Sequence, residues 1–395
     1  MKILYVTYEN VYRTAILQAM VLKPLSLLSE KYDISFTITS SVKPHEDDNI
    51  YRQNKSNFEA NNFSRLKIVE FHKKLTKKYS ALRFLLDLYP VIKYSIYEAR
   101  NCDIIHCRSY GGAMIGAIAS FVTGIPYIFD MRGTLPEEML DLGQLTTSSI
   151  KYKILKKLER LLISKSAYVF TVSDAFNKYI KFVFNKETCI NINNPTDFDI
   201  FQIDHNPNGR VNFIYSGSML PWHKPELTIQ YFYEIQKLFP SKVFFYFCTN
   251  DPDRAENIFE TYGVPKNSYE INTVPFNEMP LYYKKANIAF HFIENSFSKS
   301  VCFPVKLSEY IAAELFILAN DGIGDVSNII RKYNCGLVFS DMSKINENVS
   351  HISDVIKQML SSNGRIYKRD DLEFLNWRTE GIRKIYNVYK ELAAK

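Results

Sequence analysis

The stretch of the sequence with the most chemical information is 297–328, FSKSVCFPVKLSEYIAAELFILANDGIGDVSN. Pro304 suits the first turn of a helix, and Lys306 and Glu309 then share one helical face. Backbone N–H groups between Pro304 and Leu307 would form an anion site, to which Lys306 adds positive charge. Glu309, one turn further on, could accept hydrogen bonds from the two hydroxyls of a ribose. The segment predicts a site for a nucleoside diphosphate, with a solvated Lys–Glu pair as the alternative.

A second segment, 211–227 (VNFIYSGSMLPWHKPEL), combines a strand, a glycine turn and a loop that carries cationic residues. Gly217 has no side chain and would let the backbone approach a phosphate closely. His223 and Lys224 follow in the same loop. Trp222 has a second interpretation, as an aromatic residue of the core or of a domain interface.

Strand ends carry the third group of candidates, in 103–138 (DIIHCRSYGGAMIGAIASFVTGIPYIFDMRGTLPEE). His106 and Arg132 lie at the carboxyl ends of strands, which border the ligand site in sheets of this kind. Arg132 could neutralise charge that develops on a leaving group, or hold an anionic acceptor. Asp130 could orient Arg132 or an acceptor hydroxyl. A structural role for His106 and a local Asp130–Arg132 pair are the alternatives.

Together these segments resemble bacterial glycosyltransferases of the GT-B fold, in the glycosyl transferases group 1 (family four) class. The resemblance rests on CFPVKLSEY with the strand and glycine turn that follow it, on YSGSMLPWHK, and on DIIH and GIPYIFDMRG. It implies that Glu309 binds the ribose of a nucleotide sugar donor. It also implies that Lys224, with His223 as a weaker candidate, meets the diphosphate, and that His106 lies near the donor sugar or the leaving phosphate. Lys224 and Lys306 would stabilise the departing diphosphate.

The resemblance also assigns the remaining site residues. It places the nucleobase against the backbone of 273–277, and the polar first loop, 8–13, forms a lip over the acceptor. The catalytic candidates are His106, Arg132, Lys224 and Lys306; the donor-binding candidates are Gly217, Ser218, Trp222, His223, Thr273, Val274, Pro304, Leu307 and Glu309; the acceptor-binding candidates are Glu9, Tyr12, Arg13 and Asp130.

Three positions depart from the family pattern. Val301 stands where many members carry the first Glu of an E-x7-E motif, and Arg108 replaces the second His of the strand-end pair. The arginine that the family carries in the glycine loop has no counterpart in 211–227. These departures weaken the transfer of individual family roles to this chain.

The elements that must position these residues follow from the alternation of short apolar runs with helical segments, which predicts an α/β fold with parallel sheets. Strands are predicted at 2–7, 33–39, 67–71, 103–107, 126–130, 167–172, 211–216, 243–248, 269–273, 288–292, 316–319 and 336–339. The Asn-, Asp- and Pro-rich segment 194–210 predicts a linker. We therefore expect two Rossmann-like domains facing a central cleft, an acceptor domain at 1–193 and a nucleotide-sugar domain at 211–370. The terminal helix, 371–395, either completes the first domain or ends the second.

Composition excludes several other classes. A net charge of +7 over 395 residues is modest for a nucleic-acid binder. No window has the apolar length of a membrane span, and no His/Cys spacing or Asp-rich loop is typical of a metal site. We therefore expect no nucleic-acid partner, no metal ion and no cofactor beyond the donor itself.

One helix, 151–165 (KYKILKKLERLLISK), is basic and amphipathic. Its apolar stripe is formed by residues 150, 154, 155, 158, 161 and 162. A second basic run covers 73–78. Either could contact anionic lipid headgroups, and the alternative is a solvated helix face over an ordinary core.

The predicted function is transfer of a sugar, expected to be UDP-linked, to a glycan or lipid-linked acceptor in surface polysaccharide biosynthesis. The resemblance implies retention of anomeric configuration. The expected location is the cytoplasm, at the inner face of the cell membrane. Two alternatives remain at this point: a nucleotide-sugar 2-epimerase of the same fold, and a non-catalytic partner subunit.

Overall fold

The structure is a computed structural model that describes residues 1–43, 48–60, 64–73, 81–203, 209–362 and 366–394. The chain divides into two compact units. Unit 1 comprises Met1–Asn193 and Trp377–Lys395, and unit 2 comprises Asn194–Asn376.

Unit 1 is built on a seven-stranded parallel sheet with the order β3-β2-β1-β4-β5-β6-β7. The strands are β1 (Lys2–Val6), β2 (Ser35–Val42), β3 (Leu66–His72), β4 (Ile104–Arg108), β5 (Tyr127–Asp130), β6 (Tyr168–Thr171) and β7 (Cys189–Asn191). The helices between them are α1 (Ala15–Leu17), continued by a π-helical turn at Gln18–Leu22, α2 (Lys23–Tyr32), α3 (Asn49–Ala60), α4 (Ala81–Ala99), α5 (Ser109–Thr123), α6 (Leu135–Asp141), α7 (Ile150–Lys165) and α8 (Asp174–Phe184).

The strand order fixes which helices share a face of this sheet. Strands β2 and β3 are added in turn on one side of β1. The chain then returns across the sheet, and β4 to β7 are added in turn on the other side of β1. Because crossovers between parallel strands are right-handed, α2 and α3 cover one face, while α4, α5, α7 and α8 cover the other. Within the second layer, α4 contacts α5, α5 contacts α7, and α7 contacts α8.

Unit 2 is built on a six-stranded parallel sheet with the order β10-β9-β8-β11-β12-β13. The strands are β8 (Val211–Ser216), β9 (Val243–Cys248), β10 (Tyr269–Asn272), β11 (Ile288–His291), β12 (Phe316–Asn320) and β13 (Gly336–Phe339). The helices are α9 (Pro225–Leu238), α10 (Pro252–Tyr262), α11 (Met279–Lys285), α12 (Phe297–Ser300), α13 (Val305–Ala312), α14 (Val326–Tyr333) and α15 (Ile345–Ser362). The core is aromatic: the Phe213 and Phe290 rings stack at 5.4 Å, and the Phe245 ring lies 5.4 Å from that of Phe290 and 4.7 Å from that of Phe232.

The ends of unit 2 differ from the sequence pattern. Part of the predicted linker is ordered on this unit, because Thr196 bridges to Asn376 and the Phe198 and Phe201 side chains are buried. Residues 204–208 of the linker lie outside the described residues. The terminal segment predicted as one helix begins with a 3-10 helix at Asp370–Leu375, within unit 2.

The rest of the terminal segment belongs to unit 1. A π-helical turn at Trp377–Gly381 leads into α16 (Ile382–Ala393), which packs against α2 and β4. The predicted fold class is confirmed: both units are parallel sheets flanked by helices, as two Rossmann-like domains require.

Candidate active site

Glu309 stands at the centre of a buried polar cluster in unit 2. Its Oε2 accepts a hydrogen bond from Tyr283 Oη at 2.8 Å and pairs with Lys306 Nζ at 2.8 Å. The Glu309 side chain is 3% exposed, whereas that of Lys306 is 32% exposed. The two residues are therefore not a solvated surface pair. The carboxylate is held from inside the unit, and the ammonium lies at the boundary with solvent.

Hydroxyl groups at the end of β8 extend this cluster. Ser216 Oγ lies 2.8 Å from Tyr283 Oη and 3.1 Å from Tyr310 Oη, and the Ser216 N–H donates to Tyr310 Oη at 3.3 Å. Burial and the nearby Glu309 carboxylate raise the pKa of Tyr283, and burial raises that of Tyr310. Both phenols are therefore neutral at physiological pH; Tyr283 fixes the position of Glu309, and Tyr310 contacts Ser216.

The start of α13 is shaped as the sequence suggested, with one difference. Pro304 is the N-cap residue, so the helix begins at Val305. The Leu307 N–H donates to the Pro304 carbonyl at 3.1 Å, and the Leu307 side chain is buried. The first-turn amides of Val305 and Lys306 are thus the ones placed to meet an anion.

The glycine loop of unit 2 lies beside this helix start along the same sheet edge. A Cβ built on Gly217 would lie 2.9 Å from Tyr215 Oη, which donates to the Ser218 carbonyl at 2.7 Å. The Trp222 carbonyl accepts a hydrogen bond from the backbone of Glu294 at 2.8 Å. The Lys224 ammonium forms an ion pair with the Glu294 carboxylate. The positive charge of Lys224 is therefore already compensated by a neighbour.

Two histidines at this edge are neutral. Burial, followed by the charges of Lys299 and Lys306, lowers the pKa of His223 to about 4. Burial, followed by His223, lowers the pKa of His291 to about 3, and His291 Nε2 has no hydrogen-bond partner in the described part of the chain. Both imidazoles can therefore donate and accept hydrogen bonds, but they carry no positive charge that would attract an anion.

The residues predicted to contact a nucleobase follow β10, two strands away from β8. Thr273 Oγ1 donates to the Thr249 carbonyl at 3.0 Å; Thr273 is exposed and Val274 half-buried. Both lie at the carboxyl edge of the sheet, as do Ser216 and His291. No direct contact with the Glu309 cluster is found for them among the described residues.

A second polar cluster occupies the carboxyl ends of β1, β4 and β5 in unit 1. Asp130 Oδ1 accepts a hydrogen bond from Arg132 Nη1 at 3.1 Å, and its Oδ2 lies 3.9 Å from Arg108 Nη1. Arg108 Nε in turn donates to Glu9 Oε2 at 3.1 Å. Burial opposes ionisation of Asp130, but Arg132, His106 and Arg108 together outweigh it and hold the pKa of the carboxyl below its ordinary value.

His106 lies behind Asp130, inside unit 1. It is 3% exposed, its Nδ1 lies 2.5 Å from Tyr389 Oη on α16, and its Nε2 lies 3.7 Å from Asp130 Oδ2. Burial lowers its pKa, so the imidazole is neutral. A cavity of about 20 Å³ is lined by His106, Asp130 and Trp377 among others, which gives room for one water molecule. This position suits a residue that supports Asp130.

The other acceptor candidates, Glu9, Tyr12 and Arg13, lie in different surroundings. Glu9 is part of the Asp130 cluster through Arg108. Tyr12 is buried instead against Tyr51 and Phe58, with its ring 6.0 Å and 5.7 Å from theirs. Arg13 pairs with Asp48 at 2.8 Å. The structure therefore brings Glu9, and not Tyr12 or Arg13, to the strand-end cluster.

These clusters also contain residues that were not among the sequence candidates, Tyr283, Arg108 and Lys299 among them. Tyr283 lies on α11 outside any motif, so no spacing could have indicated it. Arg108 and Lys299 do lie within the motif segments, at the strand end of DIIHCR and in FSK. Their residue type and position next to other candidates were the available signals.

The described residues hold no group of three or more His, Cys, Asp and Glu side chains arranged to bind a metal ion. Within the same residues, no helix combines the length and apolar character needed to cross a membrane. The basic run at 73–78 lies outside the described residues except for Lys73, whose ammonium stands 3.4 Å from the centre of the Tyr8 ring.

Two family models match the chain in succession. The glycosyl transferase 4-like domain matches residues 56–187, and glycosyl transferases group 1 matches residues 197–372. Together they cover most of the sequence and correspond to the two units. A comparison with curated proteins gives no match.

Solved structures share the fold along the full chain. The sucrose-phosphate synthase of Thermosynechococcus elongatus aligns with a TM-score of 0.70 at 11% identity, covering 100% of both chains. Alr3699/HepE of Anabaena, in complex with UDP, aligns with a TM-score of 0.66 at 12% identity, covering 99% of this chain and 100% of that one. A putative UDP-N-acetylglucosamine 2-epimerase from Listeria monocytogenes aligns with a TM-score of 0.60 at 10% identity, covering 100% of this chain and 97% of that one. At these identities the likeness shows the fold alone.

Proposed function

Because this chain belongs to the group 1 glycosyltransferases, we propose that it moves a sugar from a nucleoside diphosphate donor, UDP-linked, to a glycan or lipid-linked acceptor of a surface polysaccharide. The observation that carries the donor assignment is the buried Glu309 carboxylate, fixed by Tyr283 beside the first turn of α13. A carboxylate held in this way is a preorganised acceptor for ribose hydroxyls. Structures of the Anabaena relative with UDP and with UDP-glucose support the choice of nucleotide.

In the proposed mechanism, unit 2 binds the donor. The amides of Val305 and Lys306 and the Lys306 ammonium meet the diphosphate, and they stabilise its negative charge as the glycosidic bond breaks. The sugar passes through a state with oxocarbenium character, and configuration at the anomeric carbon is retained. Transfer needs no metal ion in this proposal, because lysine ammonium groups and backbone amides supply the positive charge.

Unit 1 binds the acceptor in the same proposal. Asp130 is ionised and held between Arg132 and Arg108, so its carboxylate can accept a hydrogen bond from an acceptor hydroxyl. Arg132 is 14% exposed and presents a guanidinium to the same edge. We assign His106 a positioning role, because it is buried behind Asp130 and contacts Tyr389.

A thermal-shift screen tests the donor assignment. We expect UDP and UDP-sugars to raise the unfolding temperature, while CMP and GDP do so less. A ligand with a dissociation constant of about 10 µM, added at about 1 mM, stabilises by about 2.7 kcal/mol, which gives a readily measured shift. The absence of any shift in unfolding temperature with nucleotides would contradict the donor site.

A separate incubation of the protein with UDP-sugars, without an acceptor, tests the alternative function. Isomerisation of the sugar under those conditions would favour a 2-epimerase over the transferase.

We further propose that unit 1 contacts an anionic membrane surface through the layer of α4, α5, α7 and α8. Half of the predicted apolar stripe of α7 is exposed: Ile150 is 77%, Ile154 59% and Leu161 53% exposed. On the neighbouring helices Phe121 is 91% and Phe182 92% exposed. The exposed large apolar side chains of this layer are Leu86, Tyr89, Tyr97, Ile118, Phe121, Val122, Ile150, Ile154, Leu161, Phe182 and Val183.

The charge of this layer complements anionic lipid. α7 contains six lysines and arginines, and its one acidic residue, Glu159, is buried and paired with Lys156. α5 carries no charged residue. Exposed apolar side chains beside basic ones are typical of surfaces that insert shallowly among headgroups, where each basic residue contributes about 1 kcal/mol. This contact would bring a lipid-linked acceptor to unit 1.

Vesicle flotation tests the membrane contact. We expect the protein to float with vesicles of phosphatidylcholine and phosphatidylglycerol, to float less with phosphatidylcholine alone, and to be released by salt. The double change Phe121→Ser and Phe182→Ser should reduce flotation several-fold, since it removes two inserted rings. Leu238→Ser, which removes a 60%-exposed apolar side chain from unit 2, is the matched control and should have no effect. Equal flotation of the wild type with both vesicle types, or with neither, would contradict the proposal.

A further inference from the structure

Lys299 lies at the edge of the donor cluster, on a segment that is anchored on both sides. It is the third residue of α12, and its N–H donates to the Ser296 side chain, which caps that helix. Its carbonyl accepts a hydrogen bond from the Gly324 N–H at 3.1 Å. A Cβ on Gly324 would lie 1.8 Å from the Cys302 carbonyl oxygen, so this close approach of two loops requires glycine. The backbone that carries Lys299 is therefore well defined.

The ammonium of Lys299 stands over an aromatic ring. Its Nζ is 5.9 Å from the centroid of the Trp222 ring, within the range of a cation–π contact. The Trp222 and His223 rings are 6.1 Å apart. Trp222 thereby directs the lysine toward the loop that also carries His223 and Lys224.

Charge compensation distinguishes Lys299 from the neighbouring lysines. Lys224 pairs with Glu294, and Lys306 pairs with Glu309. Lys299 is half-buried, and in the described part of the chain no carboxylate lies within ion-pair distance of it. A half-buried ammonium without a counter-charge is unfavourable on its own, and it leaves a net positive potential that an anion would neutralise.

Lys299 and Lys306 act on the same neighbour. Both charges contribute, after burial, to the lowered pKa of His223. Since His223 stays neutral, it neither compensates nor adds to the charge of the two lysines. An anion next to His223 would therefore meet two ammonium groups from different segments of unit 2.

We propose that Lys299 is a further binding residue for the diphosphate of the donor and is held in place by Trp222. Its positive charge is not compensated by a carboxylate, whereas Lys224 and Lys306 are paired with Glu294 and Glu309. This proposal rests on the proposed function of the donor site. It predicts that Lys299 contributes to recognition of the phosphates and not of the nucleoside.

Calorimetric titration of the full chain with UDP and with uridine tests the proposal. We expect Lys299→Gln to weaken UDP binding by roughly tenfold, as loss of one charge-assisted contact implies, and to leave uridine binding unchanged. Lys299→Arg should retain most of the affinity for UDP, because it keeps the charge and can stay over the Trp222 ring. Lys332→Gln is the matched control: Lys332 also stands over an aromatic ring in unit 2, 5.0 Å from the centroid of Tyr333, but at the carboxyl end of α14.

The outcomes separate this inference from the function on which it rests. Wild-type affinity of Lys299→Gln for UDP would overturn the inference and leave the donor site intact. An equal loss of UDP and uridine binding would also overturn it, since the lysine would then act on the nucleoside or on the fold. If the wild type bound neither UDP nor GDP, the donor site itself would fail and the inference with it.

Discussion

Replacing Glu309 with glutamine should lower kcat/KM for sugar transfer by at least about a hundredfold. Glutamine has nearly the same shape, so Tyr283 Oη keeps an acceptor, but the charge that pairs with Lys306 is lost. The amide also has a single acceptor oxygen for both Tyr283 Oη and a ribose hydroxyl, whereas the carboxylate keeps Oε1 for the ribose while Oε2 accepts from Tyr283. Lys306→Ala should have an effect of similar size, because it removes the ammonium from the donor diphosphate. Initial rates at several donor concentrations measure both.

A matched pair on another helix of unit 2 is the control. Lys344, which directly precedes α15, and Glu347 in its first turn have the same i, i+3 spacing at 3.2 Å, but their side chains are 57% and 61% exposed. Glu347→Gln should leave transfer unchanged and alter stability by less than about 1 kcal/mol. If Glu309→Gln behaved like Glu347→Gln, the pair at α13 would be an ordinary helical ion pair and the donor assignment would be wrong.

Replacing Asp130 with asparagine should destabilise unit 1 by about 3 kcal/mol, because it removes the buried carboxylate that pairs with Arg132 and lies beside Arg108. Arg108 and Asp130 are each about 95% buried, and Arg132 donates to the same carboxylate. Unfolding in denaturant measures the change. The chain has two tryptophans, Trp222 in unit 2 and Trp377 in unit 1, so a Trp222→Phe background makes fluorescence a reporter of unit 1.

The same variant has a defined pH dependence. The folded-state pKa of Asp130 lies below its ordinary value of 3.8, so the carboxylate stabilises the fold fully above that pH. This stabilisation is lost as the pH falls through the folded-state pKa. The difference in the free energy of unfolding between the wild type and Asp130→Asn should therefore be constant near neutrality and become smaller below about pH 4. Asp354→Asn, in an exposed pair with Lys357, should show almost no such difference at any pH, and a pH-independent difference for Asp130→Asn would contradict an ionised Asp130.

Local sequence features were sufficient to predict the fold and to place Lys306 beside Glu309 in the proposed donor site. Strand–helix alternation predicted both parallel sheets because the inner strands are buried on both faces and form apolar runs; the edge strands β3, β10 and β13 are only partly buried. Lys306 and Glu309 could be placed together because helical spacing alone brings i and i+3 side chains into contact. The position of Pro304 similarly predicted the start of α13 to within one residue.

Local sequence features could not predict contacts between segments that are distant in the sequence. Tyr283 and Ser216 join Glu309 from other elements, and no local spacing encodes this. Tyr12 was assigned to an acceptor lip from its place in the first loop, but α3 buries its ring. The α7 stripe was periodic, and periodicity cannot tell a face covered by protein from one that is exposed, as Ile150 and Ile154 are.

A crystal structure of the protein with UDP tests the central claim most directly. The account predicts the diphosphate oxygens within hydrogen-bond distance of the Lys306 ammonium and the first-turn amides of α13, and a ribose hydroxyl on the Glu309 carboxylate. UDP bound at any place where its ribose does not reach Glu309 would contradict the account.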